Sequence, residues 1–151
     1  MSGDYETHKD NQPHKTYAKV DLDKYAVFVD GVTSVPSKNY QSFIDSLSTL
    51  DGQGAHIERL LTASVGISAE GGEFMEIVKK IIFQGKPYNE DNIFHMKREL
   101  GDVMWYVAQC CMALDISLDE ICDMNIEKLG KRFPDGHFDT YYSENRKAND
   151  L

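Results

Sequence analysis

From about Ala55 to Gln84, and again from about Glu90 to Leu114, apolar residues return every three or four positions. Ile57, Leu60, Leu61, Ser64 and Val65 form one stripe, and Phe74, Ile77, Val78, Ile81 and Ile82 form another. In the second segment the stripe is Ile93, Met96, Leu100, Val103, Val107, Cys111 and Leu114. A 3.6-residue period sustained this long predicts two long amphipathic helices and leaves little room for a sheet. Gly66, Gly71 and Gly72 interrupt the first stripe. Each costs about 1 kcal/mol relative to alanine in a helix interior. Either the helix breaks there, or another backbone or side chain approaches closely. Gly85 and Pro87 supply a stop before the second helix.

Two shorter helices flank this pair. One is expected from about Ser37 to Leu50, with Tyr40, Phe43, Ile44 and Leu47 on one face. The other opens on a capping box, Ser117-Leu-Asp-Glu120, and runs to about Arg132. The short link after Leu114 favours antiparallel packing of the last two helices. Pro134-Asp135-Gly136 is a turn. The first 20 residues show no period, and Tyr25-Ala-Val-Phe-Val29, aromatic and β-branched, reads as a strand or an extended arm. The expected fold class is all-α and four-helix-bundle-like. An irregular, partly flexible N-terminal arm covers 1–36, a helical domain covers 37–138, and a polar tail covers 139–151. A length of 151 residues suits one domain and can bury a core without disulfide staples.

Charge narrows the partners. Sixteen basic residues against 25 acidic ones give a net charge of −9. That disfavours a nucleic acid polymer or an anionic membrane surface, both of which need a basic face. It leaves nucleotides open, because divalent cations bridge acidic groups to phosphates. No apolar run approaches a membrane span, and Met1–Asp23 lacks an apolar signal core. Cys110, Cys111 and Cys122 are odd in number and lie in helical patterns. They read as reduced, buried thiols of a cytoplasmic protein.

Carboxylates supply the chemistry. Acidic pairs at i, i+3 occur four times: Glu70/Glu73, Glu73/Glu76, Glu99/Asp102 and Glu120/Asp123. Roughly that many are expected by chance, so spacing alone carries nothing. Glu120/Asp123 sits in the first turns of a helix, where the dipole favours acids in a solvated face. Glu70 and Glu73 share a stripe with Ala63, Gly66 and Ile77 and have no basic partner on it. Glu99 and Asp102 share a stripe with His95 and Tyr106 beside the apolar Met96–Leu100–Val103 face. Acids bordering a core must pair, protonate or bind metal. Oxygen-only ligands from two helices suit Mg²⁺ or Mn²⁺, and no Glu-x-x-His supports a di-iron centre. The competing reading is a solvated acidic ridge. On the last long helix, Asn125, Lys128 and Arg132 fall on one face, suited to a polyphosphate or to an ordinary basic helix end.

The ordered string Glu70-Gly-Gly-Glu73, Lys79-Lys80, Glu99-Leu-Gly-Asp102-Val-Met-Trp-Tyr106, Ser117-Leu-Asp-Glu120, Asn125-Ile-Glu-Lys-Leu129 and Lys131-Arg-Phe-Pro134 resembles the MazG nucleoside triphosphate pyrophosphohydrolases. These belong to the all-α NTP pyrophosphatase superfamily. Its signature is ExxE, a spacer, then ExxD, and the likeness covers about Ile57 to Phe138. Ala69 stands where many members carry a further glutamate. The resemblance implies that 37–138 is a catalytic domain hydrolysing an NTP or dNTP to the monophosphate and pyrophosphate. It implies Mg²⁺, with Mn²⁺ as substitute, held by Glu70, Glu73, Glu99 and Asp102. Glu70 and Glu73 would be catalytic, and Asn125, Lys128 and Arg132 would sit near the phosphates. It also implies a homodimer or homotetramer. The compact form suggests a phage-type, single-domain member working in the host cytoplasm.

Several roles stay open at this point. Glu70, Glu73 or Glu76 is the proton acceptor, unless Glu76 pairs with Lys79 or Lys80 at the surface. Trp105 or Tyr106 stacks on a base or packs in a core or dimer contact. His95 either supports Glu99 or is a surface histidine. The alternatives for function are a dUTP- or dCTP-specific pyrophosphatase of the same superfamily, and a non-catalytic helical module that binds nucleotides as a regulator.

Overall fold

The computed structural model describes residues 19–145, which form seven helices and no strand. In chain order these are α1 (Leu22–Val32), α2 (Val35–Lys38), α3 (Tyr40–Gly52), α4 (Ile57–Phe83), α5 (Glu90–Leu114), α6 (Leu118–Arg132) and α7 (Thr140–Glu144). The chain divides into two compact units, with the boundary after Phe43, inside α3. The expected all-α class is what the structure shows.

In the first unit, Tyr25–Val29 is neither strand nor extended arm; it lies inside α1. Its flanks decide this. The Asp21 carboxylate accepts from the Lys24 backbone N–H at 3.1 Å, and Asp23 occupies the first turn. A side-chain cap contributes about 1 kcal/mol. The helix propensities of Val, Phe and Tyr fall only tenths of a kcal/mol behind better formers. Lys38 Nζ donates to the Asp30 carbonyl at 2.6 Å and to its carboxylate at 3.0 Å, fastening α2 to α1. The helix expected to open at Ser37 begins instead at Tyr40. Asn39 is extended and its side chain accepts from the Ser42 N–H at 2.9 Å, which makes it the cap. Residues 1–18, half of the expected flexible arm, and 146–151 of the tail lie outside the described residues.

In the second unit α4 runs for 27 residues without a break, so its three glycines do not end it. The link to α5 is short. Gly85 takes φ +69°, and the Lys86 N–H donates to the Lys80 carbonyl at 3.1 Å, closing the end of α4. Asn89 caps α5 through the Asn92 N–H at 3.1 Å, and the Asn92 amide donates to the Pro87 carbonyl at 2.7 Å. Helix α5 spans the residues its period predicts. The two helices are antiparallel. Arg59 Nη1 donates to Gln109 Oε1 at 2.6 Å near one end, Gly66 meets Tyr106, and Glu70 meets Glu99 farther along. The buried residues of this seam are Ala63, Gly66 and Ile77 on α4, and Glu99 and Cys111 on α5.

Helix α6 begins where its capping box predicts, with Ser117 Oγ accepting from the Glu120 N–H at 3.1 Å. It does not pack along α5 as the short link suggested. Among the described residues, α4 and α5 are the only helices in extensive contact, and α6 has no buried residue. The link turns sharply, with Asp115 in the left-handed region at φ 51°. Apolar residues of α6, including Ile126 and Met124, stay exposed. The cysteines also divide: Cys111 is buried, Cys110 half-buried and Cys122 exposed, so burial does not hold for all three.

Candidate metal and nucleotide site

The α4–α5 seam is apolar except in the middle. Ala63 is fully buried near one end and Ile77 and Cys111 are nearly so. Between these residues the helices bring three carboxylates together. One oxygen each from Glu70, Glu73 and Glu99 lies within 4.8 Å of the others. Glu70 and Glu73 are one turn apart on α4, and α5 presents Glu99 from the opposite side. The two acidic stripes face each other because both helices turn that same stripe toward the seam.

Burial raises the electrostatic cost. Glu99 is 6% exposed, the only buried charged residue among those described. Glu70 is half-buried and Glu73 exposed. Desolvation holds the Glu70 carboxyl above the usual glutamate value, and the charges of Glu73, Asp102 and Glu99 add to the effect. A hydrogen bond between the Glu70 and Glu99 side chains pushes it the same way. Such a bond requires a proton on one of the two groups, since carboxylates only accept. Asp102, one turn from Glu99, lies outside the tight triple but acts on Glu70 through its charge. The lysine ion pairs fall elsewhere, on Asp21, Asp30, Glu76 and Glu127.

The neighbours sort themselves by geometry. His95 Nε2 lies 3.3 Å from Glu99 Oε1, so His95 supports the buried carboxylate while its own ring is half exposed. Glu76 is engaged elsewhere: Lys80 Nζ lies 3.0 Å away and holds the Glu76 carboxyl below the usual range. Tyr106 packs on Gly66 in the seam, with Trp105 against it edge to face at a centroid distance of 4.8 Å. Asn125, Lys128 and Arg132 share α6, which has no extensive contact with α4 or α5. The structure therefore assembles the acidic half of the expected site from two packed helices and carries the basic half on a separate one. Sequence reading underweighted His95, although its i, i+4 spacing to Glu99 was the available signal.

The arrangement fits a hard divalent cation. The donors are all oxygen, the site is partly desolvated, and three like charges converge on it. A profile of the MazG nucleotide pyrophosphohydrolase domain matches residues 60–137, just over half of the chain. The chain belongs to the MazG family. The match contains all four carboxylates and the whole of α6. The chain is also similar to the "Gene 37 protein" of Mycobacterium phage L5, with 39% identity over 77 residues, covering 50% of this chain and 68% of that protein. No solved structure matches it. Nucleotide pyrophosphohydrolase chemistry is thus the chemistry of its family, and the phage relative fits a MazG-like, phage-type protein. Among the described residues, no helix is long and apolar enough to cross a membrane.

Proposed function

We propose that this MazG protein hydrolyses nucleoside or deoxynucleoside triphosphates to the monophosphate and pyrophosphate in the presence of Mg²⁺, with Mn²⁺ able to replace it. The observation that carries this reading is the convergence of Glu70, Glu73 and Glu99 from two helices within 4.8 Å, inside the segment that matches the family. Glu70, Glu73, Glu99 and Asp102 would hold the cation. When bound, it neutralises phosphate charge and lowers the pKa of coordinated water.

The chain's own groups do the rest. His95 fixes Glu99 against the seam so that its carboxylate stays directed at the other two. Glu70 or Glu73 accepts the proton of the attacking water. Glu76 is not suited, because Lys80 stabilises its ionised form and makes it a weaker base. The water oxygen bonds to one phosphorus of the anhydride between the α- and β-phosphates, the bond from that phosphorus to the bridging oxygen breaks, and the proton passes to the carboxylate. Asn125, Lys128 and Arg132 contact the phosphates, where cations and an amide offset the charge of the polyphosphate and of the leaving pyrophosphate.

The protein is proposed to act as a homodimer or homotetramer on free nucleotides in the cytoplasm, that of the host for a phage-encoded chain. The support is the large apolar surface left uncovered: Leu61, Met75, Phe83 and Phe94 exceed half exposure in the α4–α5 pair. A pyrophosphate-release assay over a panel of NTPs and dNTPs, with Mg²⁺ and with chelator, tests the function. Release from several bases only with metal supports it. Turnover of dUTP or dCTP alone would move the chain to a base-specific role. Binding without release would make it a regulatory module.

A further inference from the structure

Gly66 is buried in the middle of an unbroken helix, where glycine costs about 1 kcal/mol relative to alanine. The reason lies across the seam. A β-carbon at residue 66 would stand closer than 3.0 Å to Cδ1, Cε1 and Cζ of Tyr106, a separation that side chains do not show. Gly71 and Gly72, on the same helix, differ: a β-carbon at either meets nothing within 4 Å. Tyr106 therefore occupies the volume that any other residue at 66 would need. Trp105 stands edge to face against the same ring, so the ring does not turn aside freely.

The position of this contact gives it a purpose. Gly66 lies four residues before Glu70, and Tyr106 lies four residues after Asp102. The ring-on-backbone contact is thus one helical turn, about 5.4 Å, from Glu70 and Asp102 and two turns from Glu73 and Glu99. Cation sites tolerate displacements of only about 0.5 Å in their ligands. A methyl group at 66 would drive the helices apart or expel the ring, and either changes the gap at Glu70, Glu73 and Glu99.

We propose that Gly66 and Tyr106 form a spacer that sets the α4–α5 separation at the carboxylates and so tunes their affinity for a divalent cation. Both are positioning residues. The inference rests on the reading that these carboxylates bind such a cation. Helix spacing is fixed at the glycine, and the acids one and two turns away inherit it.

Mn²⁺ binding to the full chain, followed by titration of the free-ion electron paramagnetic resonance signal, tests this. Gly66→Ala weakens Mn²⁺ binding about 10–100-fold, the range for groups that orient metal ligands. Gly71→Ala leaves it unchanged, and so does Tyr106→Phe, which keeps the ring. In Gly66→Ala/Tyr106→Val the methyl replaces the ring, and binding returns to within a few-fold of wild type. A merely structural role would move helix content and melting temperature but not the affinity of the folded protein. Should Gly66→Ala alone lose its helix content, the double variant decides: restored folding with restored binding supports the spacer, and restored folding with binding still lost overturns it. Wild-type binding in Gly66→Ala, with binding lost in Glu73→Gln, overturns the spacer alone. Equal binding in wild type and Glu73→Gln overturns the carboxylate site and the spacer's role with it.

Discussion

Two acidic pairs with identical spacing lie on two helices of this protein and have opposite fates. Glu120 and Asp123, early in α6, face solvent on a helix with no buried residue. Their charges sit near the positive end of the helix dipole and are screened by water. Glu70 and Glu73, midway along α4, meet the buried Glu99 across a packed seam. The residue types and the i, i+3 interval are shared, so neither makes a site. A second helix does, by removing water from one side and bringing a further carboxylate within 4.8 Å. In solvent a pair of acids costs little; in a seam it demands a proton or a cation.

Activity is the harshest test of that contrast. Glu73→Gln or Asp102→Asn is expected to lower kcat about a hundredfold or more, while Glu120→Gln and Asp123→Asn stay near wild type, with helix content by circular dichroism unchanged throughout. Equal losses in both regions would erase the distinction. The basic face of α6 comes next. Loss of one charge-assisted phosphate contact costs about 1.5–3 kcal/mol, so Lys128→Ala and Arg132→Ala should each lower kcat/KM about 10- to 100-fold for every base alike. A changed base preference at unchanged overall efficiency would reassign that residue to the base.

Stability follows the same line. A cation bound only to the folded state adds about 2.7 kcal/mol at a hundredfold excess over Kd, or about 5–10 °C in a domain of this size. Wild type is expected to show that rise with Mg²⁺ or Mn²⁺, and Glu70→Gln much less. An equal rise in both would place the ion elsewhere. The smallest effect is the pH response without metal. Glu70 binds its proton more tightly in the folded chain than at the ordinary value of 4.5. Its contribution to stability is therefore lost as pH rises through the folded value, and is complete below 4.5. Asp21, Glu76 and Glu127 are shifted the other way and favour higher pH. The difference in melting temperature between wild type and Glu70→Gln isolates the glutamate. Wild type should gain relative to the variant as pH falls from 7 toward 5, and a constant difference would remove the upward shift assigned to Glu70.

What was legible in the sequence was what is local. The apolar period of α5 and the Ser117 box gave helix positions that the structure reproduces. The stripes that carry Glu70 and Glu73 on one face of α4, and Glu99 on one face of α5, were readable because they follow from helical spacing. Cross-helix facts were not readable. Gly66 looked like Gly71 and Gly72 until the register of α5 put Tyr106 over the first and nothing over the others. The helix at Leu22–Val32 was hidden because its cap, Asp21, decides against a β-rich composition that argued for a strand. The placement of α6 depended on a left-handed Asp115, which no pattern announces.

The thinness of the seam has one more consequence. Ala63, Ile77 and Cys111 are the only apolar side chains buried among the described residues. Three such groups do not offset the conformational entropy of ordering two helices of this length. For the proposed homo-oligomer, folding and self-association are a single reaction, and the resistance of the protein to heat becomes a property of the solution as much as of the chain. Diluting it should lower the melting temperature steadily, as mass action requires of subunits without a stable monomer. A melting temperature independent of concentration over two decades would show that one chain suffices. Deleting residues 1–36, which removes α1, is expected to steepen the dependence if that helix joins the contact between copies.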